Sequence, residues 1–202
     1  VIDIPNPMIV PDPAPVYAST SKTILSSGRL TYQKGFDMLV DVAAQVLPQH
    51  PGWQWLILGE GEDRSTLEDK IAHAGIGNQL ILKGRVPDTD SYYRKSAFFV
   101  LTSRFEGLPM VLLEAKAYGL PIVSFDCPTG PSEIIEDAVN GNLVHPDDIA
   151  AMAKNVDCLI EDRATRERYA LHAGDGNGRF AKETIIDQWK TFLNTVLRTI
   201  AR

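Results

Sequence analysis

The sequence predicts a doubly wound α/β fold, in which a parallel sheet of about six strands carries helices on both faces. Short β-prone or apolar runs recur along the chain, and a segment with helical periodicity follows nearly every one of them. Glycine-rich or charged turns separate these segments. Strands that alternate with helices in this way are typical of parallel sheets with crossover helices.

The strands are predicted first, from their short apolar runs, and the helices from the segments between them. WQWLILG, for example, is apolar almost throughout, as expected of a strand buried on both faces. GFDMLVDVAAQVL instead places Phe36, Leu39, Val40, Ala43, Val46 and Leu47 on one helical face. The predicted strands are 23–27, 53–59, 79–84, 97–103, 120–126 and 141–144. The predicted helices are 35–47, 64–74, 88–96, 109–119, a short one near 132–136, 147–161, 165–172 and 182 to the end.

Three segments are expected. Residues 1–20 contain five prolines and are predicted to be an extended interdomain linker. Residues 21–181 form the α/β domain, since a chain of 202 residues that is 44% hydrophobic suits one compact core. Residues 182–202 form a C-terminal helix with a broad apolar stripe. We expect this stripe to be uncovered within the chain and the proline-rich start to be loosely held.

Composition excludes several classes of function. A formal net charge of -6 argues against nucleic acid or an anionic membrane as the main partner. The two cysteines, Cys127 and Cys158, lie far apart and form neither a disulfide framework nor a metal-binding spacing. No signal-peptide pattern opens the chain, and no apolar run reaches the length of a membrane span. We therefore expect a cytoplasmic protein.

The turns that follow the predicted strands are the expected ligand-binding region, because doubly wound sheets bind ligands beyond the carboxyl ends of their strands. Glycine, charge or both occur in every one of these turns. They are SSGRLTYQKG, LGEGEDR, KGRVPDTD, TSRFEGLPM and FDCPTGPSE.

The first of these turns indicates an anion site. Gly28 and Arg29 precede Lys34 and a helix N-terminus, where free backbone N–H groups and the helix dipole favour negative charge. Arg29 and Lys34 would add two cations, as a diphosphate requires. The alternative is that both are solvated surface charges.

The second turn, with Gly59 and Gly61, is an incomplete dinucleotide fingerprint. Arg64 stands where its third glycine belongs, and no acidic residue follows at the spacing of a ribose partner. We interpret it as a tight turn beside a ligand.

The stretch EGLPMVLLE carries two glutamates around a helix start. Pro109 suits the first turn of a helix, so the amides of Leu108, Met110 and Val111 would point toward an anion. Glu106 and Glu114 would accept hydrogen bonds from sugar or ribose hydroxyls. Alternatively, Glu106 complements the helix dipole and Glu114 lies on a solvated helix edge.

Other catalytic sets are missing from the sequence. The four histidines are scattered without an HExxH pattern, and no GxSxG elbow is present. Neither a metal site nor a Ser/His triad is predicted.

Taken in order, the motifs resemble the nucleotide-sugar-binding, Rossmann-like half of family 4 (group 1) retaining glycosyltransferases of the GT-B type. The resemblance covers nearly the whole chain. It rests on SSGRLTYQKGFDMLV, LILGEGEDRSTLE, LKGRVPD, TSRFEGLPMVLLEAKAYGLPIV and PTGPSEIIEDAVNGNLV. The two glutamates, with seven residues between them, match the E-x7-E motif of that family.

The resemblance implies a role for each matching position. Arg29 and Lys34 would hold the diphosphate and, with Glu106, would be the catalytic residues; Glu106 would contact the donor sugar and Glu114 the ribose. No metal and no other cofactor is expected. The full set implied to contact the nucleotide-sugar, a UDP-sugar by preference, is Gly28, Arg29, Lys34, Gly59, Gly61, Arg85, Val86, Glu106, Gly107, Leu108, Pro109, Met110, Val111 and Glu114.

The implied function is sugar transfer with retention to a glycan or lipid-linked acceptor in cell-surface polysaccharide synthesis. The acceptor site would lie in an N-terminal domain that this chain lacks, and the C-terminal helix, 182–202, would cross back to that domain. The chain by itself would bind donor but be inactive or weakly active. The full-length protein could be peripheral at the inner membrane face. Two alternatives stay open: a non-catalytic nucleotide-sugar-binding module and a sugar-nucleotide epimerase of the same fold.

Overall fold

The computed structural model describes residues 4–200 and contains one six-stranded parallel sheet. The strand order is β3-β2-β1-β4-β5-β6, and each neighbouring pair runs parallel. This confirms the predicted fold class, including the number of strands. The strands are β1 (Thr23–Ser27), β2 (Gln54–Leu58), β3 (Leu80–Gly84), β4 (Phe98–Leu101), β5 (Ile122–Phe125) and β6 (Gly141–Val144).

Every helix that the sequence predicts is present, with small differences at the ends. The first ends at Val46, and Leu47 begins a 3-10 turn, because Pro48 has no N–H with which to continue the α-helical pattern. The fourth begins at Met110, one residue later than predicted, because Pro109 is extended and forms the N-cap instead of the first helical residue. The helices are α1 (Phe36–Val46), α2 (Arg64–His73), α3 (Asp90–Arg94), α4 (Met110–Ala117), α5 (Pro131–Ile134), α6 (Ile149–Glu161), α7 (Arg163–His172) and α8 (Lys182–Ile200).

Side chains alternate between the two faces of the sheet along each strand, and helices cover both faces, so the sheet is buried on both sides. In β4, Phe98 and Val100 join a core with α1, α2, α6 and α7, whereas Phe99 and Leu101 join a second core with α3, α4 and α5. Two apolar layers thus hold the sheet, which fixes the positions of the loops at its carboxyl edge.

The proline-rich segment, which was expected to be loosely held, contacts the second core at Met8 and Tyr17, while Ile9, Val10 and Val16 are exposed. Within described residues 4–22 it has no helix or strand. Met8 is buried, and its N–H donates to the Phe180 carbonyl at 2.8 Å. The Tyr17 hydroxyl donates to the Ala97 carbonyl at 2.7 Å.

The apolar stripe of α8 is exposed, as the sequence predicts. Ile185 is buried, but Ile186, Trp189, Leu193 and Leu197 are 41%, 48%, 52% and 63% exposed. Phe192 and Val196 are partly buried, and the side chain of Ile200, which also belongs to the predicted stripe, lies outside the described residues. Within residues 4–200, none of the helices combines the length and the apolar character that crossing a bilayer requires.

Candidate functional site

The predicted site residues lie in the loops at the carboxyl edge of the sheet and in the first part of α4. The strands β2 and β3 are added on one side of β1, and β4, β5 and β6 are added on its other side. The strand order therefore reverses between β1 and β4, which are neighbours in the sheet. Doubly wound sheets open a crevice at such a point. The loops after β1 and β4 carry most of the predicted residues, so the fold brings them to that crevice.

The loop between β1 and α1 is fastened to the loop between β4 and α4. Gly35 has a φ of 62°, and a Cβ atom there would lie 2.1 Å from the Thr102 carbonyl oxygen. The guanidinium of Arg104 donates two hydrogen bonds to the carboxylate of Asp37, at 2.9 and 2.6 Å. This pair holds the pKa of the Asp37 carboxyl below its usual value. Because glycine permits the close approach and the ion pair secures it, the two loops act as one unit.

Lys34 and Glu106 form an ion pair where these loops meet. Lys34 Nζ donates to Glu106 Oε1 at 2.6 Å, and the two side chains are only 15% and 6% exposed. Ser103 Oγ donates to the same oxygen at 2.7 Å. Among the described residues no hydrogen bond reaches Glu106 Oε2, so one oxygen of this carboxylate is held and the other is unpaired.

Glu114 has a similar arrangement on α4. The hydroxyl of Tyr93 donates to Glu114 Oε2 at 2.8 Å. Oε1 accepts no hydrogen bond from any residue in the described part of the chain. The carboxylate is half-buried rather than on a solvated helix edge. Its cost of burial is therefore offset by a protein donor on one oxygen, while the other remains open.

The start of α4 leaves backbone donors unpaired. In residues 4–200, the amides of Leu108, Met110 and Val111 donate to no backbone acceptor. Gly107 is exposed and has no atom within 4 Å of where its Cβ would be. A cavity of about 410 Å³ adjoins Gly107 and Leu108, and its other lining residues are Ile4, Pro5, Asn6, Thr129 and Glu133. Unpaired amides at a helix N-terminus are suited to an anion.

The loop between β5 and α5 braces this helix start from behind. Thr129 donates its N–H to the Glu106 carbonyl at 3.0 Å, and Glu106 donates its own N–H to Pro128 at 2.9 Å. Gly130 has a φ of 102°, and a Cβ there would lie 2.5 Å from both Gly107 O and Pro109 Cδ. The segment that carries Glu106 is thus held from two sides.

Gly28 lies beside the ion pair, and Arg29 follows it in the same loop. The Arg29 side chain is exposed and has no hydrogen-bond or ion-pair partner among the described residues, which leaves its charge available. A Cβ at Gly28 would lie 3.3 Å from Lys34 Cδ, so the lysine stem passes directly over this glycine.

Gly59 and Gly61, in the second turn, are needed for close packing between two loops. A Cβ at Gly59 would lie 1.8 Å from the Gly28 carbonyl oxygen, and one at Gly61 would lie 2.2 Å from that of Leu30. These glycines let the turn after β2 contact the loop after β1. Their contact with a ligand stays a prediction, as does that of the exposed Arg85 and the half-buried Val86 after β3.

Two other sets of reactive side chains are not candidates for catalysis. His50, Asp157 and Glu161 bring ligand atoms within 4.8 Å of one another, but His50 precedes β2, at the opposite edge of the sheet. Its Nε2 is 2.7 Å from Asp157 Oδ1, an ordinary hydrogen-bond distance. Cys127 lies near Glu106, but burial, reinforced by that carboxylate, raises the pKa of its thiol to about 11. The thiol is protonated at neutral pH and is not a candidate nucleophile.

Sequence reasoning missed the partners of the two glutamates. Ser103 lies three residues before Glu106, so its position was a usable signal. Tyr93 is 21 residues from Glu114 and on another helix. Nothing local in the sequence connects these two side chains.

The sheet order, together with the polar groups gathered at its carboxyl edge, is typical of ligand-binding doubly wound α/β domains. A family model described as "Glycosyl transferases group 1" matches residues 13–173. The chain therefore belongs to the group 1 glycosyl transferases. This confirms the resemblance that the motifs indicated.

Curated relatives share this family and are longer than the chain. The amylovoran biosynthesis glycosyltransferase AmsD of Erwinia amylovora is 37% identical over 179 residues, which cover 89% of this chain and 50% of AmsD. The poly(ribitol-phosphate) alpha-N-acetylglucosaminyltransferase of Staphylococcus aureus is 26% identical, covering 90% of this chain and 37% of that protein. The chain thus spans half or less of the length of these two relatives.

Solved structures share the fold. A variant of S. aureus TarM, solved with fondaparinux, alpha-GlcNAc-glycerol and UDP, has a TM-score of 0.82 at 25% identity, covering 96% of this chain and 38% of TarM. Anabaena HepE with UDP-glucose has a TM-score of 0.79 at 26% identity, covering 87% and 49%. The C-terminal domain of the Francisella tularensis group 1 protein LpcC has a TM-score of 0.68 at 30% identity, covering 76% and 82%.

Proposed function

We propose that this chain binds a UDP-sugar at the carboxyl edge of its sheet and is the donor-binding half of a retaining glycosyltransferase. The observation that carries the proposal is the state of the two glutamates. Each has one oxygen held by a protein donor and the other oxygen free, and unpaired backbone amides lie between them in the chain. Fixed acceptors beside an anion site suit a ligand that combines hydroxyls with phosphates.

The diphosphate would bind between Arg29, Lys34 and the amides of Leu108 to Val111. Arg29 has no protein partner, so its charge is free to meet a phosphate. Lys34 donates one hydrogen bond to Glu106 and keeps two further N–H groups for the ligand. The absence of side chains at Gly28 and Gly107 would permit close approach of the phosphates to the backbone.

The ribose would bind to the free oxygen of Glu114 and the donor sugar to that of Glu106. The base would bind at the backbone near Arg85 and Val86. UDP is the preferred nucleotide because solved neighbours such as TarM and HepE contain UDP or UDP-glucose.

The chemistry would be substitution at the anomeric carbon with retention. The acceptor oxygen forms its bond on the face from which the phosphate leaves. The bond between the anomeric carbon and the phosphate oxygen breaks, its electron pair stays on phosphate, and the acceptor proton passes to that oxygen. Arg29 and Lys34 would stabilise the developing negative charge, which is electrostatic catalysis without a metal.

The acceptor is proposed to be a glycan or lipid-linked carbohydrate in cell-surface polysaccharide synthesis, by analogy with relatives such as the amylovoran enzyme. Its site would be contributed by a part of the protein outside this chain. We therefore expect donor binding by the chain alone and sugar transfer only by the longer protein, acting in the cytoplasm or at the inner membrane face.

Calorimetric titration of the 202-residue chain tests this proposal. UDP, GDP, ADP and their glucose and N-acetylglucosamine forms would be compared, each with EDTA and with added Mg2+. We expect UDP compounds to bind most tightly and EDTA to leave their affinity unchanged. Absence of nucleotide binding would refute the donor role, and a requirement for Mg2+ would refute the metal-free site.

A further inference from the structure

We propose that Tyr93 is a positioning residue whose hydroxyl orients the Glu114 carboxylate and thereby sets how tightly the site holds the ribose hydroxyls. The inference rests on the proposed function, because it takes the ribose as the ligand of Glu114. It adds a residue that lies outside every motif by which the sequence indicated the site.

The Tyr93 ring is held rigidly. Only 1% of the residue is exposed. The ring stacks on Phe99 with a centroid distance of 5.9 Å and an interplanar angle of 10°. It stacks on Tyr118 with a centroid distance of 4.9 Å and an angle of 15°. Two stacked neighbours fix the ring and so place its hydroxyl 2.8 Å from Glu114 Oε2, with the Ser27 side chain as a second hydrogen-bond partner.

This hydroxyl is a pure donor toward the carboxylate. Burial, together with the charge of Glu114, raises the pKa of Tyr93 well above its usual value of 10. The phenol therefore keeps its proton at any working pH. A neutral donor fixes the carboxylate without cancelling its charge, in contrast to Lys34, whose ammonium neutralises Glu106.

The fixed orientation matters because the remaining oxygen is the one a ligand would use. A free glutamate side chain must give up rotamer freedom when it binds. With Oε2 held by Tyr93, Glu114 has already given up that freedom in the folded protein, and Oε1 is presented in one place. Loss of the Tyr93 hydroxyl should thus weaken contacts to ribose hydroxyls and leave contacts to base and phosphate unchanged.

Tyr118 provides a matched control. It stacks on the same ring, and its hydroxyl donates to a different carboxylate, Asp90 Oδ1, at 2.7 Å. Asp90 is paired with Arg94 at 2.7 Å and takes no part in the proposed site. Tyr118→Phe therefore removes an equivalent hydroxyl from the same aromatic stack without touching Glu114.

The experiment measures the affinity of Tyr93→Phe and Tyr118→Phe for UDP and for 2′,3′-dideoxyuridine diphosphate, which lacks both ribose hydroxyls. We expect Tyr93→Phe to weaken UDP about three- to tenfold, since the carboxylate remains and only its orientation is lost. The dideoxy nucleotide should bind Tyr93→Phe and wild type equally. Tyr118→Phe should bind both nucleotides as wild type does. In a Glu114→Ala background, Tyr93→Phe should cause no further loss.

Several results would overturn the inference. An unchanged UDP affinity in Tyr93→Phe contradicts it, and an equal loss for both nucleotides shows a general loosening of the fold instead. A full further loss in the Glu114→Ala background would show that Tyr93 acts independently. If wild type binds UDP and the dideoxy nucleotide equally, Glu114 does not bind the ribose hydroxyls, and the inference about Tyr93 is wrong as well. If wild type binds neither UDP, GDP nor ADP, the proposed function itself fails, which is a distinct outcome.

Discussion

Lys34→Ala should weaken the fold and the nucleotide site together, because this lysine already has a partner in the folded chain. Its Nζ lies 2.6 Å from Glu106 Oε1, and the glutamate side chain is 6% exposed. Without Lys34, the carboxylate keeps only the hydrogen bond from Ser103. The substitution therefore removes a cation from the proposed diphosphate site and leaves a nearly buried negative charge without its counter-ion.

The two losses have different expected sizes. Leaving a buried, charged group without a partner costs on the order of 1–3 kcal/mol in unfolding free energy, and complete burial would cost more. Because the Glu106 carboxylate keeps the hydrogen bond from Ser103 and is not completely buried, we expect the lower part of that range. Loss of a charge-assisted contact to phosphate should reduce UDP affinity by about ten- to a hundredfold.

Urea denaturation and calorimetry separate these effects when matched variants are included. Arg29 is exposed and has no partner among the described residues, so Arg29→Ala should lower UDP affinity by a similar factor and leave stability unchanged. Lys22 is an exposed lysine just before β1, at the opposite edge of the sheet, so Lys22→Ala should change neither. The double variant Lys34→Met with Glu106→Gln should recover stability, since no charge is left unpaired, but not UDP affinity.

Three results would contradict these expectations for Lys34. If Lys34→Ala unfolds at the wild-type urea concentration, the ion pair contributes nothing to the fold. If Lys34→Ala and Arg29→Ala both bind UDP as wild type does, the phosphate assignment is wrong. Recovery of UDP affinity in the double variant would show that Lys34 acts only by balancing Glu106.

The remaining predictions concern the two glutamates and one buried lysine. Glu114→Ala should weaken UDP and UDP-sugars alike, whereas Glu106→Ala should spare UDP and weaken only the sugar-bearing donor; equal loss of UDP in both would reverse the assignment. Burial lowers the pKa of Lys116 from 10.5 to about 8, although its ammonium donates to the carbonyls of Ile134 and Asp175. Between these two pH values the unfolded chain binds more protons, so unfolding free energy should rise with pH relative to Lys116→Met; equal slopes in denaturation from pH 7.5 to 10 would contradict this.

The sequence by itself determined the order and type of the elements. Each strand and helix is encoded by a run of about 5 to 15 residues, as in WQWLILG or GFDMLVDVAAQVL, whose apolar period needs no knowledge of the rest of the chain. Because parallel strands end at one edge of their sheet, the same information placed Arg29, Lys34, Glu106 and Glu114 in one region. The family motifs added an expected role for each.

Only the tertiary structure decided which atoms meet. Lys34 and Glu106 are 72 positions apart, and Tyr93 and Glu114 are 21 apart on different helices. Whether these side chains form hydrogen bonds depends on donor–acceptor distances that must be correct to within about a few tenths of an ångström. Those distances are set by the two core layers and by the close contacts that Gly35 and Gly59 permit. Hydrogen bonds require that accuracy, and no local sequence pattern contains it.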